Sequence, residues 1–241
     1  MSVIERILID GVNAREAHRE APPKSGRWRA SDAGKCEIQQ MLKAFGVEES
    51  DPPDYNLTLK FQICSHLETY VTDTIMEATK ERDDVIVLGS DSNVFADEDL
   101  NISGHADIAI YDAASGSVLE LIEVKALNYF FWRKFEKEPI QNAYFYGQIQ
   151  TYMHMAGIEE ATLVVVERNT PLIHSIVIPY DEINWWRMES MYSRLNGYYE
   201  NMAMPTVEEV EGEKACQFCF YQSMCQEGAA NLEWVLREEA D

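Results

Sequence analysis

Apolar residues recur every three or four positions at the start of the chain, where Ile4, Ile7, Leu8 and Val12 predict a helix that Ala21-Pro22-Pro23 ends. A second helix is expected from an N-cap at Ser31 or Asp32 to about Phe45, with Cys36 in its first turns and Gly46 as C-cap. Asp51-Pro52-Pro53-Asp54 breaks the pattern, and residues 57–80 then read as a long helix carrying Phe61, Cys64, His66 and Tyr70. From Val85 the apolar period shortens to two. Residues 85–89, 102–112 and 118–127 are expected as strands, the last two joined by a hairpin turn at Ala113-Ala114-Ser115-Gly116. After an aromatic and basic stretch, Tyr129 to Phe135, residues 140–156 are expected to be helical and to close at Gly157. Strands over 161–168 and 173–178 and an amphipathic helix over 181–204 complete the pattern, and no internal repeat interrupts it. This order predicts an α/β layer, a mixed sheet flanked by helices.

Composition narrows the picture. A chain of 241 residues with 46% hydrophobic content can bury one sizeable core. One compound domain over 1–241 is expected: an N-terminal helical segment over 1–50, a core over 51–204 and a cysteine-rich tail over 205–241. No run of about eighteen apolar residues occurs, and Glu5 and Arg6 interrupt the first ten positions. Neither a membrane span nor a signal peptide is therefore expected, and the protein should be soluble and cytoplasmic. The formal charge of −22 weighs against binding nucleic acid through bulk electrostatics, because phosphate binding depends on cations that displace counterions. The acids cluster at Glu48, Glu49 and Asp51, at Asp97 to Asp99, at Glu208 to Glu213, and at Glu238, Glu239 and Asp241, as solvated faces and tails do.

The chemistry is concentrated in two strands. Strand alternation over 118–127 puts Glu123 and Lys125 on one face with Leu119 and Leu121, so two opposite charges end an apolar face. Burying such a face makes unpaired charge expensive, which favours a pair that satisfies itself or serves a metal. On the preceding strand Ser103, His105 and Asp107 share a face, and pairing across the turn would let Asp107 converge with Glu123 on one divalent ion. Two hard carboxylates suit Mg²⁺ or Mn²⁺, and an adjacent ammonium can orient a nucleophile or neutralise developing charge, as phosphodiester hydrolysis needs. As an isolated pattern this reads more readily as a plain hairpin with a surface Glu–Lys pair. Gln148 and Tyr152, four apart on a helix, can point at one spot beside the sheet.

Taken in order, His66, Gly104-His105-Ala106-Asp107, Glu123-Val124-Lys125 and Gln148-x3-Tyr152 resemble the RecB-like branch of the PD-(D/E)XK nucleases, over roughly Arg29 to Cys225. The Pro of the family's Pro-Asp dipeptide is replaced here by Ala106. Cys36 with Cys216-x2-Cys219-x5-Cys225 resembles, more narrowly, the iron–sulfur members: CRISPR-associated RecB-like exonucleases, the AddB nuclease domain and related phage exonucleases. The resemblance implies a restriction-endonuclease-like core and a DNA exonuclease acting on single strands or ends, in a bacterial, archaeal or phage-infected cell. It further implies that His66, Asp107, Glu123 and the Val124 carbonyl hold one or two Mg²⁺ or Mn²⁺ ions, that Lys125 acts on water, and that Gln148 and Tyr152 support the site or the strand.

Five cysteines are an odd number for a disulfide framework. Cys36, Cys216, Cys219 and Cys225 supply four thiolates, enough for tetrahedral zinc or a [4Fe-4S] cluster, and spacing alone does not choose. The resemblance favours [4Fe-4S], joining the N-terminal segment to the C-terminal tail. Cys64 is expected to be a small buried hydrophobe. Two stretches interleave cations with rings, Arg27, Trp28, Arg29 and Lys35, then Tyr129, Trp132, Arg133 and Lys134. Either could hold a single strand despite the acidic whole, with a partner protein delivering DNA. A non-catalytic iron–sulfur or zinc interaction module is the competing reading, supported by the charge.

Overall fold

The computed structural model describes residues 2–17, 27–135, 137–138, 140–142, 145–170, 172–206, 216 and 219–226. The expected break at 21–23, Lys24 and the acidic runs after 207 lie outside the described residues. Elements in chain order are α1 (Val3–Ala17), β1 (Trp28–Arg29), α2 (Glu37–Ala44), α3 (Tyr55–Thr79), β2 (Val85–Gly89), β3 (Phe95–Asp97), β4 (Ile102–Gly104), β5 (Ile108–Asp112), β6 (Val118–Leu127), α4 (Tyr129–Phe135), α5 (Tyr146–Ala156), β7 (Glu160–Glu167), β8 (Leu172–Pro179) and α6 (Glu182–Glu200), followed by a last helical turn at Gln222–Gln226.

Five strands form a mixed sheet in the order β2-β5-β6-β7-β8, and β1-β4-β3 form a smaller one. Turn chemistry explains the β5–β6 hairpin: Gly116 takes φ +71° and its N–H returns to the Asp112 carbonyl at 2.8 Å. The pair β6–β7 is parallel, with Ile122 opposite Thr162, so the chain must cross over between them, and α4 and α5 occupy that crossover. Strand β6 is covered on both faces. Leu121 and Leu127 join the main core with Ile149, Tyr152 and Met153 of α5, while Ile122 and Val124 pack with Val71, Leu67 and Ile75 of α3.

Three expectations are revised. The α2 helix starts at Glu37 with Cys36 at its N-cap, because a short 3-10 turn over Ala30–Asp32 and Gly34 at φ +76° intervene. Asp32 is a buried partner of Lys35 and Lys43 rather than a cap. The strand expected over 102–112 is two strands in different sheets, broken at residues 105–107, which removes Ser103 from the face proposed for Asp107. Among the described residues, no helix is long and apolar enough to cross a membrane.

Candidate active site

The break between β4 and β5 is held open by side chains that take over the backbone's hydrogen bonds. The Tyr152 hydroxyl donates to the His105 carbonyl at 2.7 Å, the Asn93 amide donates to the Ala106 carbonyl at 3.0 Å, and His105 Nδ1 meets the Ser90 carbonyl at 2.8 Å. With those groups satisfied the chain can leave one sheet and enter the other. Asp107 is thereby set beside β6, where its Oδ2 accepts the Val124 N–H at 2.7 Å. Glu123 and Lys125, two residues apart on β6, form a buried ion pair.

A third carboxylate joins them from the far side. Glu68, half-buried on α3, senses Asp107 and Lys125, and Glu123 senses Asp107, Lys125 and Glu68. Burial, reinforced by the Asp107 charge, pushes the Glu68 carboxyl up to about 7 against the opposing pull of Lys125. Burial and Asp107 likewise raise Glu123, and burial raises Asp107 against Lys125 and the Val124 N–H. Burial alone would lower Lys125, but Glu123 and Asp107 together overcome it and hold the ammonium firmly charged. Three carboxylates facing one ammonium keep a proton that separate carboxyls would lose at neutral pH. Glu123 Oε2 is buried and, among the described residues, has no hydrogen-bond partner.

The residues named from sequence divide accordingly. Asp107, Glu123, Val124 and Lys125 are brought together. Tyr152 stands beneath them, 3% exposed, with its hydroxyl pKa raised by burial and by Glu123 and Asp107, and Gln148 hydrogen-bonds that hydroxyl. His66 is not brought in: it is exposed on α3, about 200° around the helix from Glu68. Glu68 is the group that sequence reasoning missed, and its signal was an acid inside the stripe Cys64, Leu67, Glu68, Val71, Ile75 that faces the sheet.

Glu68 also gives this cluster a measurable pH signature. A carboxyl whose folded pKa exceeds its unfolded one costs nothing below the unfolded value and costs most above the folded value. The Glu68 penalty therefore grows as pH rises from 4.5 to about 7. Glu68→Gln is expected to melt above the wild type in EDTA above pH 7 and to lose that advantage below pH 4.5. A cluster that holds a divalent ion would show the opposite order above pH 7 once Mn²⁺ is added, since the variant offers one carboxylate fewer. Equal melting of the two proteins in EDTA above pH 7 would remove Glu68 from the cluster.

Of the two cation-and-ring stretches, the first is engaged within the fold. Arg27 pairs with Glu98 at 2.6 Å, Trp28 is buried and donates to Asn196 at 2.7 Å, and Lys35 binds Asp32 at 2.6 Å. In the second, Trp132 is stacked on His174 with centroids 3.9 Å apart.

A second corner gathers the cysteines. Cys36, Cys219 and Cys225 pack half-buried around Ile38, Leu42 and Tyr221, while Cys216 is exposed. Burial and the charges of Cys219, Cys36 and Cys216 push the Cys225 thiol up to about 11. Burial likewise raises Cys36, to which Cys219 and Cys216 add. The tail is tied there by Asp51, whose N–H donates to the Phe220 carbonyl at 2.8 Å and whose Oδ2 accepts the Ser223 N–H at 2.8 Å. Cys64 lies elsewhere, half-buried against the Ala126 carbonyl. Among the described residues, no group of three or more His, Cys, Asp or Glu could hold a metal ion as the side chains stand. At the carboxylate cluster the neutralising cation in this arrangement is Lys125.

No family model matches the chain, and no curated protein matches its sequence. Solved structures do. An alkaline exonuclease, LHK-Exo from Laribacter hongkongensis, is 17% identical with a TM-score of 0.53, over 73% of this chain and 89% of that one. The same enzyme in complex with dAMP also has a TM-score of 0.53. A phage-related exonuclease from Haemophilus somnus 129PT is 14% identical with a TM-score of 0.50, over 73% of this chain and 94% of that one. At these identities the likeness is one of architecture: the chain has a mixed α/β fold similar to that of alkaline and phage-related exonucleases.

Proposed function

We propose that the protein is a Mg²⁺- or Mn²⁺-dependent deoxyribonuclease, an exonuclease that hydrolyses phosphodiester bonds in single-stranded DNA or at DNA ends. The observation that carries this reading is the convergence of Glu68, Asp107 and Glu123 on Lys125, with Glu123 Oε2 buried and unpartnered among the described residues. Such a donor set, all hard oxygen, fits a divalent magnesium-type ion. The solved structures of similar fold bear the names of exonucleases, and one of them holds dAMP.

Asp107 and Glu123, with Glu68 rather than His66 completing the set, would hold the ion. A bound ion would supply Lewis acidity to the phosphate and acidify a water molecule. Lys125 orients the attacking water and offsets charge that builds on the phosphate. Tyr152 acts one step back: its bond to the His105 carbonyl fixes the backbone that sets Asp107, and Gln148 fixes Tyr152.

The four cysteines are assigned, on the same footing, to a structural [4Fe-4S] cluster, with zinc as the alternative occupant. The mutual influence of the thiols and the ties from Asp51 support a ligand site that closes the N-terminal segment on the tail. Spacer acquisition in CRISPR systems, recombinational repair and phage DNA metabolism are the settings that fit such an enzyme.

A labelled single-stranded oligonucleotide with Mn²⁺ tests the reading. Wild type should shorten it, EDTA should stop the reaction, and Asp107→Asn should leave the substrate intact. Equal cleavage by the wild type and Asp107→Asn would remove the site, and no cleavage by wild type would favour the non-catalytic module that the charge of −22 suggests. Anaerobic purification tests the cysteines: a brown protein with broad visible absorption is expected, and a colourless, zinc-loaded one would overturn the iron assignment.

A further inference from the structure

Helix α4 begins two residues after β6 ends, so its first turn lies about 13 Å along the chain from Lys125. Seven residues are too few to hold a helix alone, and this one is fixed by three separate contacts. The Asn128 side chain accepts the Phe131 N–H at 2.9 Å, Asn169 accepts the Tyr129 N–H at 3.0 Å, and Trp132 lies flat on His174. That anchoring uses one ring and leaves three outside: Phe130 is 82% exposed, with Tyr129 and Phe131 about half exposed. A clamped helix that keeps adjacent rings in water is not serving its own core.

Charge indicates what the rings meet. From Tyr129 to Glu138 there are three cations, Arg133, Lys134 and Lys137, against two acids, Glu136 and Glu138, a local balance of +1 in a chain that is −22 overall. The whole chain has 20 basic residues to 42 acidic ones. Arg133, Lys134 and Lys137 are all exposed, and Lys134 pairs at the surface with Glu138 at 3.4 Å. Cations beside outward-facing rings, directly downstream of a phosphate-processing site, match a polyanion with flat unpaired bases.

We propose that α4 is the platform that holds single-stranded DNA beside the active site, with Phe130 and Phe131 stacking on successive bases and Arg133, Lys134 and Lys137 following the backbone. The proposal rests on the nuclease reading for the identity of its ligand. It differs from the sequence expectation in the rings it uses, since Trp132 anchors the helix and the phenylalanines meet the strand. Because stacking needs unpaired bases, α4 favours single strands over blunt duplex.

The test is fluorescence anisotropy of labelled oligothymidylate in EDTA at low salt, with wild type, Phe130→Ala/Phe131→Ala and Phe130→Leu/Phe131→Leu. The altered side chains are exposed, and thermal melting confirms that each variant is folded. Loss of about fivefold or more in affinity in both variants is expected, because leucine keeps apolar area but cannot stack. Equal binding by all three proteins, retention of affinity by the leucine variant, or no binding by wild type would each overturn the proposal; the last two outcomes would assign the helix to a protein contact. A parallel digestion with Mn²⁺ separates the two readings. If wild type cuts but the variants bind and cut as well as it does, only the platform fails, whereas a binding contrast without cleavage would leave the platform standing and sink the nuclease.

Discussion

Lys125→Ala is expected to lower the cleavage rate by about 10²- to 10³-fold and, independently, to cost the metal-free protein about 3–5 kcal/mol of stability. The stability loss follows from geometry: Lys125 and Glu123 side chains are 16% and 4% exposed, and the ammonium opposes Glu68, Asp107 and Glu123 together. Removing it leaves three carboxylates that can be accommodated only by taking up protons. The two losses should respond differently to a divalent ion. On the proposed reading Mg²⁺ would replace the missing positive charge and restore much of the melting temperature, while the proposed water-orienting role of Lys125 would go unfilled and the rate should stay low. Urea unfolding and single-turnover cleavage, each with and without Mg²⁺, read the two effects separately. Full recovery of rate along with stability would reduce Lys125 to a structural counter-ion.

Gly104→Ala should be the most damaging of the small backbone changes, at about 1–3 kcal/mol from overpacking. A Cβ at Gly104 would stand 2.8 Å from the Ala30 Cβ, 2.9 Å from Tyr152 Cε1 and 3.0 Å from the Tyr152 hydroxyl. Ala30 is fully buried and Tyr152 nearly so, hence neither can step aside freely. Displacing Tyr152 also breaks its bond to the His105 carbonyl, which adds about 1 kcal/mol and loosens the backbone before Asp107. Gly147→Ala is the control. Its Cβ would meet Met188 Sδ at 2.8 Å and the Ala33 carbonyl oxygen at 3.4 Å, and a thioether can swing away at small cost. Urea unfolding should rank Gly104→Ala well below Gly147→Ala, and cleavage should fall in the first only; equal stabilities would mean that Tyr152 is not held as tightly as its contacts indicate.

The parts of this fold that were legible in sequence are those where local chemistry decides. Strand β6 has the bounds 118–127 that its alternation predicts, the turn at 113–116 forms on Gly116, and α5 closes on Gly157 in the left-handed conformation. The split of 102–112 was not legible, because alternation persists through it while the interruption comes from distant partners, Tyr152 and Asn93, that capture the carbonyls of His105 and Ala106. Strand β3, three residues with one buried side chain, is too short to show a period. Helix α3 misled for a different reason. It carries exposed Phe61, Ile63, Tyr70 and Met76 beside the stripe of Leu67, Val71 and Ile75 that meets the sheet, so apolar residues occur all round it and do not by themselves pick out the face that holds Glu68 rather than His66. Glu123 and Lys125 were legible as a pair because strand alternation over 118–127 sets them two residues apart on one face.

The parallel pairing of β6 with β7 sets an order of events in time. Ile122 waits forty residues for Thr162, and α4 and α5 must be made before the two strands can meet. A chain emerging from the ribosome therefore holds Glu123 and Lys125 in water, on a hairpin with one side open, until β7 arrives. Pairing at such separation is slow, so the charged centre is assembled near the end of folding, and hydrogen-exchange labelling during refolding should find β6 and β7 protected together, after the β5–β6 hairpin.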